Sequence, residues 1–286
     1  MSTQNLLIRF DWAMKRLLRQ KSNHAILEGF LSELLRDDIK IEQILESESN
    51  QDTGDDKFNR VDILALNARQ ELIIIEVQNS RQVDYFQRML YGVSKATIEH
   101  LSVGEPYRNI KKVYSVNIVY FDLGQGQDYV YHGKTEFIGL HNGDTLSLSD
   151  RQKELFEKDA LFRLFPEYYV LKINNFNNKA HDSLDEWIYY LKNNEIPQGA
   201  SARGLKEVDA FLRVQALTDA DRADYYRQME NRRLEVSLLD TARIEGRALG
   251  EKESKEEIAL KMKHKGFDNK TIADLTGLSE GDVAHL

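Results

Sequence analysis

The sequence predicts an α/β protein in which helices flank a mixed central sheet, followed by a helical arm at the carboxyl-terminal end. Segments with strand and helix periodicity alternate through the first two-thirds of the chain, which is typical of this class. Two apolar runs lie close together, Ile63 to Leu66 and Leu72 to Ile75. Runs this rich in branched residues favour strands that are covered on both faces. From Asp219 the chain continues as an almost uninterrupted charged helical segment.

Local patterns predict the individual elements. A period of 3.6 between apolar residues indicates helices, and extended apolar runs that end at polar turns indicate strands. The predicted helices span residues 22–37, 82–101, 151–165, 182–193, 205–217 and 219–265. The predicted strands span residues 39–46, 63–66, 72–75, 113–121, 129–140 and 167–173, with a polar loop over residues 46–56.

The predicted domain organisation has three parts: a core of residues 1–200, a helical region at 201–265 and a tail at 266–286. The long charged helix has too few apolar residues for a core of its own, so we expect a stalk or an arm that joins copies of the chain. The tail resembles a helix-turn-helix, in which Ala273, Gly277 and Val283 take the small, turn and buried positions. Its second helix carries Glu280 and Asp282 and no Lys or Arg, which favours packing or assembly over DNA reading.

Composition excludes several classes of chemistry. The 286 residues include no cysteine, so a metal would be held by oxygens or imidazoles, which favours Mg²⁺ or Mn²⁺. The seven histidines are scattered, and neither a nucleophile elbow nor a phosphate-binding loop is present. No apolar run approaches the length of a membrane span, and the N-terminus lacks the pattern of a signal peptide. We therefore expect a cytoplasmic protein with no membrane partner.

Two acidic residues lie at one end of the predicted hairpin. Asp62 directly precedes the first apolar run, and Glu76 directly follows the second. If Leu66 pairs with Glu71, Asp62 lies opposite Ile75, and with a shift of one residue it lies opposite Glu76. Opposed side chains in such a ladder have Cβ atoms roughly 5 Å apart. Two buried like charges at that distance repel, and a divalent cation would remove the conflict.

The residues next to Glu76 extend this candidate site. Gln78 lies two residues further along and shares its face of the strand, with the carbonyl of Val77 between them. The alternative interpretation is that Asp62 and Glu76 end their strands in water and bind nothing.

Basic residues flank the candidate site in sequence. The net charge of −8 arises from residues 28–56, whereas residues 9–21 and 81–112 are each predominantly basic. In the predicted helix 82–101, the buried stripe is assigned to Val83, Phe86, Leu90, Val93 and Thr97, and the opposite side to Asp84, Arg88, Tyr91 and Lys95. Arg88 and Lys95 could clamp phosphates, and an ordinary solvated face is the alternative.

Four segments in this order resemble the recombination-promoting nuclease (Rpn) family, a transposase-like branch of the PD-(D/E)XK nuclease superfamily. They are RFDWAMKRLL near the N-terminus, the hairpin VDILALN with ELIIIEVQ, the helix FQRMLYGVSKA, and the charged helix followed by ADLTGLS. Asp62 with Glu76-Val77-Gln78, after a helix that bears Glu28, is similar to the superfamily motif. Gln78 stands where many members have lysine.

The resemblance implies a restriction-endonuclease-like core and a metal-dependent DNA endonuclease associated with bacterial recombination or mobile elements. Asp62, Glu76 and the Val77 carbonyl would bind Mg²⁺ or Mn²⁺, Glu28 would be an outer ligand, and Gln78 would act in catalysis. Gln87 and Tyr91 match a Gln-x-x-x-Tyr pattern of related nucleases.

Two other functions stay open at the level of sequence. The chain could be a catalytically inactive DNA-binding or assembly protein on the same fold, in which the C-terminal helices supply the partner contact. It could also be a structural oligomer without a nucleic-acid role.

Overall fold

The structure, a computed structural model, describes residues 7–16, 21–45 and 62–286, with only the backbone described at residues 14–16 and 22. The predicted loop at 46–56 therefore lies outside the described residues. The chain divides into two compact units, Met1–Leu217 and Thr218–Leu286. The first unit extends past the predicted boundary at residue 200 because Leu205 and Val208 of its last helix are buried.

The described elements alternate between strands and helices in the first unit and are helical in the second. The strands are β1 Ile41–Leu45, β2 Ile63–Asn67, β3 Leu72–Gln78, β4 Val113–Val119, β5 Val130–Gly133 and β6 Glu167–Lys172. The helices are α1 Phe10–Arg16, α2 His24–Leu35, α3 Tyr85–Glu99, α4 Asp150–Phe156, α5 Ser183–Asn193, α6 Leu205–Phe211, α7 Asp219–His264, α8 Asn269–Thr276 and α9 Glu280–His285.

The strands form one mixed six-stranded sheet in the order β1-β2-β3-β4-β6-β5. The pairs β3/β4 and β4/β6 are parallel, whereas β1/β2, β2/β3 and β5/β6 are antiparallel. Every residue of β4 is buried, as are six of the seven in β3. The α/β class with a mixed central sheet is thus confirmed.

Two groups of packed side chains hold the helices of the first unit in place. Beside β2, β3 and β4, helix α3 contributes Val93 and Ala96 to a cluster with Leu72 and Ile74. Elsewhere, an aromatic cluster joins α1, α2 and α5 with ring centroids 5.4 to 6.2 Å apart, formed by Phe10, Phe30, Trp187 and Tyr190. Such contacts bury large apolar areas and fix the helices against each other.

The buried face of α3 differs in part from the predicted one: Val93 is buried as predicted, whereas Phe86 and Leu90 are exposed. Tyr85, Met89, Val93 and Ala96 are buried, whereas Val83 is 93% and Leu90 59% exposed. Both sets of residues have helical spacing, so the period alone could not decide between two apolar stripes on one helix. The stripe that contains Tyr85 packs inward, where Tyr85 and Phe121 meet edge to face at 5.7 Å.

Some predicted elements are shorter than expected. The predicted strand 129–140 keeps strand geometry only over β5, after which Ile138 forms a single bridge with Thr145. The predicted helix 151–165 ends at Phe156, where Glu157 adopts a left-handed conformation, and a 3-10 turn follows at Leu161–Leu164.

The second unit begins with α7, whose 46 residues carry only two fully buried side chains, Tyr225 and Ala259. The end of α7 packs with α8 and α9 through Ala259, Ile272, Ala273 and Val283. Gly277 ends α8 at a positive φ of 71°, which a residue without Cβ adopts easily. None of the described helices is long and apolar enough to cross a membrane. That α7 joins copies of the chain stays a prediction.

Candidate functional site

Asp62 and Glu76 come together where the β2–β3 hairpin ends. The ladder pairs Leu66 with Leu72 and Ile63 with Ile75, so the next pair outward is Asp62 with Glu76. This is the shifted register of the two that the sequence allowed. The backbone N–H of Val77 donates to Asp62 Oδ2 at 2.7 Å, which ties the first carboxylate to the strand that bears the second.

Glu76 is a buried acid, only 8% exposed. Burial raises the pKa of its carboxyl group, nearby Arg88 partly offsets that effect, and the negative charge of Asp62 raises the pKa further. The guanidinium Nε of Arg88 lies 3.5 Å from Glu76 Oε2. The ionised form of Glu76 is therefore disfavoured by its surroundings, and a cation between the two carboxylates would stabilise it.

Polar groups behind Glu76 continue into the sheet. The Tyr85 hydroxyl lies 3.4 Å from Glu76 Oε2 and 3.2 Å from Asn117 Oδ1. Asn117 is paired with Glu76 in the parallel β3/β4 ladder. Its amide nitrogen donates to the Oγ of Ser115 at 2.9 Å. Neither Tyr85 nor Asn117 is predicted as a site residue from sequence, because neither lies in a motif and their contact depends on strand pairing.

Gln78 lies near the carboxylate pair of Asp62 and Glu76, whereas Glu28 does not. The Gln78 side chain, half-buried at the end of β3, donates to the carbonyl of Ser80 at 3.2 Å. Glu28 accepts from the backbone N–H of Ile41 at 2.9 Å. Ile41 pairs with Asn67, which is five residues, or roughly 16 Å, along the strand from Asp62. The structure does not bring Glu28 to the carboxylate pair.

The predicted phosphate contacts all lie on α3. Arg88 points at Glu76 rather than to open solvent, because the helix is rotated from the predicted face. Lys95 is 3.7 Å from Glu99. Gln87 and Tyr91 are exposed, so they can reach a ligand that approaches α3.

A further acid lies at the same end of β3. Asp11 Oδ2 accepts from Asn79 Nδ2 at 3.1 Å, and Asn79 directly follows Gln78. Arg9 Nε pairs with Asp11 at 3.2 Å. Asp11 is not among the predicted site residues, although it lies in the RFDWAMKRLL segment that carries part of the resemblance.

The donor set at Asp62 and Glu76 suits a hard divalent cation. Mg²⁺ is usually bound by one or two carboxylates with waters and substrate phosphates completing its shell. Within residues 7–16, 21–45 and 62–286, no cluster of three or more His, Cys, Asp or Glu could hold a metal. The two carboxylates are oxygen donors, the kind of ligand that Mg²⁺ and Mn²⁺ prefer.

This fold, with its Asp62, Glu76-Val77-Gln78 arrangement on a β hairpin, is that of a PD-(D/E)XK nuclease core. Residues 8–242 match the family described as PD-(D/E)XK nuclease family transposase, and the chain belongs to that family. Residues 252–286 match the Rpn/YhgA-like nuclease family, C-terminal HTH domain. Searches of curated proteins and of solved structures gave no match.

The two matches confirm the resemblance noted in the sequence. The helix-turn-helix match begins within α7, so this domain includes the end of the charged helix as well as α8 and α9. A helix-turn-helix domain indicates a DNA partner, whereas the acidic residues of the second helix had favoured assembly.

Proposed function

We propose that the protein is an endonuclease that hydrolyses DNA phosphodiester bonds with Mg²⁺ or Mn²⁺ held by Asp62 and Glu76. The observation that carries the proposal is the register of the β2–β3 hairpin, which sets these two carboxylates opposite each other beside Val77. The raised pKa of Glu76, caused chiefly by burial, supports it. A cation would relieve that cost, and family membership supplies the class of substrate.

Each residue of the site has a separate proposed role in the hydrolysis. When bound, the cation supplies an acidified water and neutralises charge on the phosphoryl oxygens. Asp62, Glu76 and the Val77 carbonyl would hold it at the end of β3. Gln78 orients the attacking water or a phosphate oxygen through hydrogen bonds of its amide group. We leave Glu28 out of this set, since its carboxylate is bound at the far end of β2.

Glutamine at position 78, where many members of the superfamily have lysine, should lower the rate of hydrolysis. Glutamine carries no charge, so the rate would fall by about one decade or more, as when a single transition-state donor is removed. The contact of Arg88 Nε with Glu76 Oε2, at 3.5 Å, supports Arg88 as a compensating cation. Arg88 and Lys95 would contact DNA phosphates, and exposed Gln87 and Tyr91 would line the approach.

Plasmid nicking tests this function directly. Wild-type protein should nick supercoiled plasmid DNA only with added Mg²⁺ or Mn²⁺. Asp62→Ala and Glu76→Ala should each lower the rate by at least about a hundredfold while circular dichroism stays unchanged. Glu42→Gln is the matched control, because this exposed acid on β1 contacts only Gln70 among the described partners and should keep full activity. Unchanged nicking by both alanine variants refutes the assignment.

The second candidate is a catalytically inactive DNA-binding or assembly protein. Gln78 in place of lysine and the C-terminal HTH domain favour it. Such a protein would shift the mobility of DNA in a salt-dependent manner at every Mg²⁺ concentration without cutting it. Involvement in recombination or in the movement of mobile elements is proposed from the transposase description of the family.

A further inference from the structure

We propose that Tyr85, held in place by Asn117, is a positioning residue that fixes the Glu76 carboxylate for cation binding. This proposal rests on the proposed function. Its basis is a chain of buried polar contacts that runs from β4 through α3 to β3. Tyr85 is fully buried and Asn117 is 1% exposed, so neither can touch DNA, and both act through Glu76.

The contacts of Asn117 define which of its atoms faces Tyr85. The amide nitrogen donates to the carbonyl of Ser115 at 3.1 Å, to the Ser115 hydroxyl at 2.9 Å and to the carbonyl of Tyr169 at 3.3 Å. The remaining polar atom, Oδ1, can only accept, and it lies 3.2 Å from the Tyr85 hydroxyl. Asn117 therefore holds the phenol oxygen from the side of the sheet.

The same hydroxyl lies 3.4 Å from one carboxylate oxygen of Glu76, Oε2, so its single hydrogen is shared between two acceptors, Asn117 Oδ1 and Glu76 Oε2. Arg88 also contacts Oε2, at 3.5 Å. Both contacts thus hold the carboxylate by a single oxygen and orient Oε1 for a cation. Groups that orient the ligands of a metal in this way contribute strongly to its affinity.

The packing of the Tyr85 ring is separable from its hydroxyl. The ring meets Phe121 edge to face and shares a buried cluster with Met89 and Val119. A phenylalanine at position 85 keeps these apolar contacts and removes only the hydrogen-bonding oxygen. If the hydroxyl served only the fold, Tyr85→Phe would lower the stability of the protein. The cation affinity of the folded variant would then equal that of the wild type.

The test compares Tyr85→Phe with Tyr129→Phe. Tyr129 is the matched control, because its hydroxyl donates to the carboxylate of Asp185 at 2.8 Å on segments outside the β2–β3 hairpin. Mn²⁺ and Mg²⁺ binding to full-length protein is measured by titration calorimetry without DNA. Plasmid nicking is then measured across Mg²⁺ concentrations.

Tyr85→Phe should weaken cation binding by about tenfold or more, the usual effect of removing a group that orients a ligand. The Mg²⁺ concentration for half-maximal nicking should rise in parallel, and KM for DNA should stay unchanged. Tyr129→Phe should bind cations as the wild type does. If wild-type protein binds no cation, the proposed function fails. If the wild type and Tyr85→Phe bind equally, only the positioning role of Tyr85 is overturned.

Tyr85→Met provides a second removal of the hydroxyl with a side chain that also fills the cluster. Circular dichroism establishes that each variant is folded before titration. Weakened binding in every variant that folds supports the positioning role, and wild-type binding in any folded variant overturns it. Failure of both to fold would show that the hydroxyl serves the fold, and would overturn the proposal.

Discussion

Replacing Lys112 by methionine should destabilise the first unit more than any surface change, because it breaks a buried ion pair. Lys112 precedes β4, and its ammonium group lies 2.7 Å from Glu167 Oε1 at the start of β6. Only 3% and 5% of the two side chains are exposed. Lys112 Nζ also donates to the carbonyls of Phe162 and Phe165, so it anchors the segment before β6.

The expected magnitude follows from what Lys112→Met leaves behind. Glu167 would keep His132, whose Nε2 is 2.6 Å away, and the Tyr169 hydroxyl at 3.5 Å. Removing one partner of a buried pair costs about 3–5 kcal/mol. We expect about 3 kcal/mol, the lower end of that range, since Glu167 keeps its contacts with His132 and Tyr169. That loss corresponds to roughly 6–12 °C in Tm for a unit of this size.

A double variant separates the ion pair from the space that it fills. Lys112→Met with Glu167→Leu replaces both charges by apolar groups, and such exchanges are often neutral or stabilising. The double variant should therefore recover at least about 1 kcal/mol of the single-variant loss. Both tryptophans, Trp12 and Trp187, are buried in the first unit, so their fluorescence during urea unfolding reports on it. A single-variant loss below about 1 kcal/mol, or strictly additive effects, would refute the reasoning.

Two further predictions concern the fold. Burial would raise the pKa of Glu71, but its hydrogen bonds from Lys158 and Asn67 lower the pKa below the ordinary value of 4.5. A lowered folded-state pKa adds stability above the unfolded-state pKa, and that stability is lost as pH falls through the folded-state pKa. Urea unfolding should thus show wild-type protein losing more stability below about pH 4.5 than Glu71→Gln; parallel losses would contradict this. Gly29→Ala would place a Cβ 2.4 Å from the Arg203 carbonyl oxygen and should cost about 1–3 kcal/mol. Its control, Gly246→Ala on α7, meets nothing within 4 Å and should be neutral or stabilising by up to about 1 kcal/mol. Equal effects of the two alanines would contradict the close approach.

Local patterns were sufficient for the sheet but not for the contacts between elements. The apolar runs around Asn67 to Gln70 predicted the hairpin, and the structure selected one of its two registers. The orientation of α3 could not be predicted, because Phe86 and Leu90 have as regular a spacing to the buried Val93 as Tyr85 and Met89 do. That choice depends on packing against β4 and Phe121, which are distant in sequence. For the same reason Tyr85 was missed and Arg88 was assigned to the solvent side.

The charge arrangement at the hairpin end is hard to explain by folding alone. Glu76 is almost fully buried, the negative charge of Asp62 acts on it, and among the described residues the basic group paired with it is Arg88, at 3.5 Å. By comparison, the buried acid Glu167 has Lys112 at 2.7 Å, and buried Glu71 has Lys158 at 2.8 Å. Glu71 and Glu167 lie where β3 and β6 begin, at the other end of the sheet from Glu76. Each of these two buried acids has a lysine ammonium group within 3 Å. At Glu76 the pairing is looser and the pKa is raised by burial, which is the situation expected where a bound divalent cation completes the site.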